Sequence, residues 1–234
     1  VGFEAGNDVT TGVNNTLIGG LAGDALTTGY NNVSLGYNSL STETTGRLSV
    51  AIGVGALATQ NTTADAYNTA LGYNAGTAVT SGVQNTLIGA QAADSLTTGK
   101  NNVAVGYQAL ETEDTGDRSV AIGSFALKTQ NNDADNYNTA VGYAAGLSVT
   151  TGTGNTFVGG LAGDGTDDGA NNVAVGREAL SGNAGNDNVA IGYESMSAAT
   201  GSTNTCVGQT TGMVITGLNN ACFGVSAGRG ITSG

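Results

Sequence analysis

The side chains able to do chemistry are few and fall at regular intervals. Five tyrosines, Tyr37, Tyr73, Tyr107, Tyr143 and Tyr193, each follow an apolar residue and a glycine. Carboxylates gather in three stretches: Asp133 with Asp135, Asp164 with Asp167 and Asp168, and Glu111 with Glu113 and Asp114. Cys206 and Cys222 complete the set. A tyrosine offers an apolar ring and a hydroxyl, which suits a sugar or a protein surface. It also suits packing between subunits or over a turn, so both readings of the tyrosines stand. Grouped carboxylates suit a hard cation such as calcium. None of the three stretches has the spacing of a known calcium loop, so they read as solvated loop charges, with Asp133, Asp135, Asp164, Asp167 and Asp168 as weak cation candidates.

The missing residue types exclude more than the present ones suggest. The chain has 234 residues and no histidine, which removes histidine-dependent triads and zinc–histidine sites. Its glycine-rich stretches contain no G-x-x-x-x-G-K-[ST] phosphate loop. No catalytic residue and no cofactor are expected, and the chain does not read as an enzyme. Six basic residues, scattered and set against a net charge of -12, are a poor match for nucleic acid, whose binding needs clustered Lys and Arg. No apolar run approaches the roughly 20 residues of a membrane span.

What positions these residues is a repeat. The core N-x-x-φ-G, with φ apolar, recurs in 14 copies, from Gly2, Gly19, Gly36 and Gly53 to Gly208 and Gly224. Steps between anchor glycines are 17 or 19 residues up to Gly176 and 16 after it. Gly19, Gly89 and Gly159 stand 70 apart, so four units form a longer block. The expectation is one continuous solenoid domain over 1–234, with superrepeats over 1–175 and shorter repeats over 176–234. The opening VGFEAG and closing GITSG read as cut units, which implies a longer parent protein. Gly, Asn and Thr disfavour helix, and apolar residues alternate over four or five positions, as in strands. The fold class is therefore all-β: a parallel β-roll or β-solenoid of about 14 coils of 16–19 residues, each with two short strands and two turns. At one strand spacing per coil it would make a rod of roughly 67 Å.

The strand carries apolar residues on both faces. The residues one and three before the anchor, such as Val105 and Val103, are expected to fill the roll. The residue between them, such as Leu87, Ala104, Ala121, Ala140 or Phe157, is expected to face another copy of the chain, since a strand apolar on both faces is buried on both. Val three before the anchor goes with Leu or Met four after it (Val33 with Leu40), and Thr goes with Gly or Ala (Thr16 with Gly23), usually with an apolar residue seven after, such as Leu26. One core slot filled from either of two positions would explain this. Turn glycines in TTG, TSG and DDG are expected to supply positive φ. Asn four before most anchors should form an amide ladder, with Ser49 and Ser119 substituting. Cys206 and Cys222 share one motif position in successive coils. Their parallel Cβ vectors suit a disulfide poorly, so buried free thiols are expected, with pairing as the alternative.

NNVAVG, SVAIG and DNVAIG resemble the N-S-V-A-I-G motif of trimeric autotransporter adhesin heads and similar repeats of some phage tail fibres. The resemblance covers essentially the whole chain, although family repeats are somewhat shorter; the extra residues here fall in loops such as ATQNTTADAY and KTQNNDADNY. It implies a left-handed roll packed as an intertwined homotrimer, in an extracellular, cell-surface or virion-surface protein. The function this suggests is a structural fibre or adhesion module that attaches to a host or substrate through a cell-surface glycan or protein receptor. Two alternatives are a phage tail-fibre shaft acting only as a spacer and an ice-binding β-solenoid, for which the Thr columns are less regular than a flat ice face requires.

Overall fold

The computed structural model describes residues 1–232, and the chain divides into two compact units, Val1–Arg118 and Ser119 onwards. The final part of GITSG, Ser233 and Gly234, lies outside the described residues. The first unit contains β1 (Thr16–Ile18), β2 (Val33–Leu35), β3 (Val50–Ile52), β4 (Thr69–Leu71), β5 (Thr86–Ile88) and β6 (Val103–Val105). The second contains β7 (Val120–Ile122), β8 (Thr139–Val141), β9 (Thr156–Val158), β10 (Val173–Val175), β11 (Val189–Ile191), β12 (Thr205–Val207) and β13 (Ala221–Phe223). Within each unit successive strands pair in parallel and in register: Thr16 lies opposite Val33, Val33 opposite Val50, and Cys206 opposite Cys222. The period-matched parallel solenoid is the fold. Thirteen of the fourteen motif copies carry a strand, because the first has only Val1 before its anchor. Among the described residues no helix is long and apolar enough to cross a membrane.

Among the described residues each coil from the second onward has one strand, not the two expected. Across from the strand the chain runs through turns, with positive φ at the second and fourth residues after the anchor, for example 57° at Asn38 and 49° at Leu40. Left-handed conformations at alternate residues break the extended geometry that a second ladder needs. The turn side is instead held by local bonds, such as Leu26 N–H to the Gly23 carbonyl (3.2 Å), and by bonds to the next coil, such as Gly23 N–H to Ser39 (3.0 Å).

The strand faces are the reverse of those expected. Ala51, Ala70, Leu87, Ala104, Ala121, Ala140 and Phe157, the middle residues, are buried in the solenoid interior. Their neighbours, Val103 and Val105 among them, point outward and are half-buried, and several of the residues just before an anchor are exposed. The coil is too thin for two layers of long side chains, so the middle strand residue and the fourth residue after the anchor divide one space. Leu17 faces Gly23, where an added Cβ would lie 2.8 Å from Leu17 Cδ2. Phe157 likewise fills the space over Gly163, at 2.5 Å. Small Ala51, Ala104 and Ala174 go with buried Leu57, Leu110 and Leu180. Where both positions are small, as Ala140 and Gly146, the neighbouring coils fill the gap: a Cβ on Gly146 would meet Leu127 at 2.8 Å and Phe157 at 2.9 Å. The residue seven after the anchor also reaches this space, since a Cβ on Gly212 would meet Ile215 Cδ1 at 2.6 Å. The slot thus exchanges between positions four and seven after the anchor and the middle strand residue. The Val or Thr three before the anchor lies outside it, and nothing in the structure explains their alternation.

Two further expectations change. The TTG, TSG and DDG glycines do not have positive φ; Gly82 is required because a Cβ there would sit 2.5 Å from the Gly99 carbonyl of the next coil. Positive φ belongs to the anchors, such as Gly19 (131°), where stacked backbone leaves equally little room. The asparagine ladder exists, but mainly through backbone. Asn85 Oδ1 accepts the Asn102 N–H (3.0 Å), and Asn85 Nδ2 donates to the Gly99 carbonyl (2.9 Å). Direct amide–amide bonds are seen in the 16-residue coils, as from Asn220 Nδ2 to Asn204 Oδ1 (2.9 Å). At Ser49 the missing amide is replaced by Gln60, which donates to Ser49 Oγ (2.9 Å) and accepts from Asn68 Nδ2 (2.9 Å). Gln130 makes the same splice between Ser119 and Asn138.

Candidate functional site

The tyrosine position is fixed by the turn after the strand. The residue following each anchor offers its carbonyl to the next coil: Gly55 N–H donates to Tyr37 (3.0 Å), and Gln91 N–H to Tyr73 (2.8 Å). This second ladder aligns the column within each unit. All five sequence candidates are exposed: Tyr37 57%, Tyr73 57%, Tyr107 46%, Tyr143 59% and Tyr193 39%. Their surroundings differ. Tyr37 lies along Gly20, where an added Cβ would be 3.4 Å from ring Cδ2. Tyr143 meets Phe125 edge to face with centroids 5.9 Å apart. The Arg177 guanidinium carbon stands 5.5 Å from the Tyr193 centroid. A hydrogen bond to Glu194 raises the Tyr193 phenol above its ordinary value, burial and the Glu194 charge adding to it.

In each unit an apolar column, which the face assignment had placed inside, runs beside the tyrosines. Ile18, Leu35, Leu71, Ile122, Val158, Val175 and Ile191, each just before an anchor, are 37–47% exposed. Three tyrosines not singled out from sequence also reach the surface. Tyr30 accepts from Arg47 Nη1 (2.7 Å), and Arg47 pairs with Asp65 (2.6 Å), closing one long loop. Tyr67 and Tyr137 are exposed and donate to Asp65 and Asp135, each at 3.3 Å. Their recurrence at 70 residues was the signal available for them.

The acidic candidates stay dispersed. Asp135 accepts from Tyr137 (3.3 Å), and Thr150 Oγ1 donates to Asp167, whose N–H donates to Asn183 Oδ1 (3.2 Å). Burial, with the nearby Glu178 charge, raises the Asp164 carboxyl above its usual range. Asp94 is raised by burial and by Glu111. Among the described residues no three carboxylates or cysteines are grouped to hold a metal ion. One acidic residue is not a solvated loop charge: Glu113 is buried, and its carboxylate accepts the Gly116 N–H at 2.8 Å. Its counterpart 70 residues earlier, Glu43, accepts from Gly46 N–H (2.7 Å), Gln60 Nε2 (3.0 Å) and Thr62 N–H (3.2 Å).

Cys206 and Cys222 are free and buried, in register on β12 and β13. Cys206 fills the space over Gly212, where a Cβ would lie 2.5 Å from Sγ. Burial, reinforced by Cys222, pushes its thiol up to about 12. The threonine column in the turns is tied down too: Thr27 Oγ1 donates to the Thr44 carbonyl (3.0 Å), and Thr97 Oγ1 to Asp114 (2.9 Å). The described residues hold no pocket. What the surface offers is two parallel columns in each unit, one apolar and one carrying the tyrosines. No protein-family model, curated protein or solved structure matches the chain.

Proposed function

We propose that the chain is a structural fibre and adhesion module, displayed outside a cell or on a virion, that associates with further copies of itself and presents a repeated surface for attachment. The observation that carries this reading is the outward apolar column. Isolated exposed apolar residues need no explanation, but one in the same outward position coil after coil is a contiguous patch, the mark of an interaction surface. Leu35 and Leu71, both exposed, lie on it. A second copy carries the same column and covers it in each unit. The resemblance to trimeric autotransporter heads and phage tail fibres makes the assembly a homotrimer, with a cell-surface glycan or protein as the receptor. Repetition lets weak contacts add by multivalency.

Light scattering on the chain is expected to give three times its 22.8 kDa mass. Replacing Leu35 and Leu71 with Glu should lower that mass; a stable wild-type monomer would contradict the reading. Attachment is tested by binding the isolated chain to candidate host cells. Binding only by the full fibre would make this segment a shaft that spaces a distal tip.

A further inference from the structure

In the first unit the residues that follow the anchors alternate in size: Phe3, Gly20, Tyr37, Val54, Tyr73, Ala90, Tyr107. An aromatic residue stands on every second coil with a smaller aliphatic residue or glycine between. Coils whose strands pair in parallel rise about 4.8 Å each, so neighbouring aromatics stand about 9.6 Å apart along the stack. The row keeps its register because the column has its own backbone ladder: Leu21 N–H to the Phe3 carbonyl (2.8 Å), Gly55 to Tyr37 (3.0 Å) and Gln91 to Tyr73 (2.8 Å). Its four aromatics are exposed, and Tyr37 lies along Gly20 rather than standing off the surface. The second unit lacks the pattern. Its column reads Ser124, Tyr143, Gly160, Arg177, Tyr193, Gln209, Val225, with Arg177 set against the Tyr193 ring.

We propose that the Phe3–Tyr37–Tyr73–Tyr107 row binds an extended, neutral, β-1,4-linked hexose polysaccharide, one sugar face to each aromatic ring. In such a chain successive rings are turned over, so the same carbon–hydrogen face recurs at every second ring. A hexose with its linking oxygen is about as long as one coil rise, so every second sugar comes into phase with every second coil. An α-1,4-linked chain winds and loses this phase. Charge selects the same occupant. Glu4, Asn38, Asn74 and Gln108 each follow one of the aromatics, on a chain of net charge -12. These side chains can accept hydrogen bonds from sugar hydroxyls, while an anionic polysaccharide is repelled. The apolar column just before the anchors, unbroken from coil to coil, is left to other copies of the chain. This proposal rests on the adhesion reading and supplies its ligand class.

The whole chain is titrated with cellohexaose and with maltohexaose, following tyrosine emission, which no tryptophan obscures, and is run in native gels containing hydroxyethylcellulose. Cellohexaose is expected to bind at least tenfold more tightly than maltohexaose, and hydroxyethylcellulose to retard the chain. Tyr73→Ala should weaken cellohexaose binding about twofold to tenfold, with Tyr143→Ala, outside the row, leaving it unchanged and the assembly mass the same in both. No binding of either β-1,4 probe, equal binding of maltohexaose, or a change of assembly mass in Tyr73→Ala would overturn the proposal; the last would make the row a contact between copies. Cell attachment that survives replacement of Tyr37, Tyr73 and Tyr107 by Ala overturns the row and leaves the adhesion reading standing. Cellohexaose binding by a chain that attaches to no cell surface supports the row and overturns that reading.

Discussion

Exchanging the two interior positions of one coil tests the packing rule directly. In the coil anchored at Gly159, Phe157 fills the space above Gly163, whereas the next coil sets Ala174 against Leu180. Phe157→Ala empties a fully buried site and should cost about 3–5 kcal/mol. Gly163→Leu alone drives a side chain into the ring, since its Cβ would lie 2.5 Å from Phe157 Cδ1. Overpacking of that kind costs about 1–3 kcal/mol, and an L-residue at φ +64° adds about 1 kcal/mol. Acting independently, the two changes would cost about 5–9 kcal/mol together. Combined, they rebuild the Ala174–Leu180 arrangement, and Thr166, seven after the anchor, leaves room where other coils carry a large apolar residue.

The residual loss in the double variant is the left-handed leucine plus the space over Gly146 that Phe157 helped fill, about 1–2 kcal/mol. The coupling is therefore at least about 3 kcal/mol, as for residues that share one cavity. Urea unfolding followed by far-ultraviolet circular dichroism, at one fixed protein concentration, gives the midpoints. The expected order, from most to least stable, is wild type, Phe157→Ala/Gly163→Leu, then either single variant. A double variant no more stable than Phe157→Ala would refute the reciprocal packing.

Three other outcomes are expected. Gly82→Ala should destabilise by about 1–3 kcal/mol because its Cβ meets the Gly99 carbonyl, whereas Gly20→Ala, whose nearest contact is Tyr37 at 3.4 Å, should stay neutral or gain about 0.5 kcal/mol in the same melts. Glu43→Gln places an amide N–H₂ among three donors, from Gly46, Gln60 and Thr62, and should cost about 1–3 kcal/mol; an unchanged midpoint would remove the buried acceptor role. Cys206 is neutral in the fold up to about pH 12, against an ordinary value of 9.0. The unfolded chain therefore loses that proton first, and stability should fall as pH rises from about 9 to 12, a slope that Cys206→Ala reduces.

The sequence revealed the period and the parallel ladder, because each follows from composition at fixed spacing, whereas the tyrosines, which suit a surface and a packed contact equally, were left open by it. It misled about the faces. The residue three before the anchor and the middle strand residue both covary with the fourth residue after it, and the former, alternating Val with Thr, is the more conspicuous. Size was the better guide: Leu17, Leu87, Phe157, Cys206 and Cys222 coincide with Gly or Ala across the coil, which only a shared interior requires. That the second expected strand is a run of turns could not be read, since Leu at a left-handed position, as at Leu40 and Leu57, looks in sequence like Leu in a strand. The role of Gln60 was hidden because it is local neither to Ser49 nor to Asn68.

The buried polar groups also explain why the sequence repeats every 70 residues when a coil needs only 17. Near-identical coils could pair with the wrong neighbour, since the strand ladder alone does not distinguish one Val-Ala-Ile from the next. Glu43 distinguishes them. Its carboxylate requires Gln60, seven after the next anchor, and Gln60 in turn joins Ser49 to Asn68. If the coil of Gly53 were skipped, Val79 would occupy the place of Gln60, leaving a buried carboxylate short of a donor and costing several kcal/mol. Leu17 and Leu87 mark the same four-coil block in apolar terms, each reaching toward a glycine that only the correct stacking provides. The 70-residue block is thus the shortest unit in which both kinds of marker are present, and the blocks that carry Glu43 with Gln60 and Glu113 with Gln130 fix their register without reference to the ends of the chain.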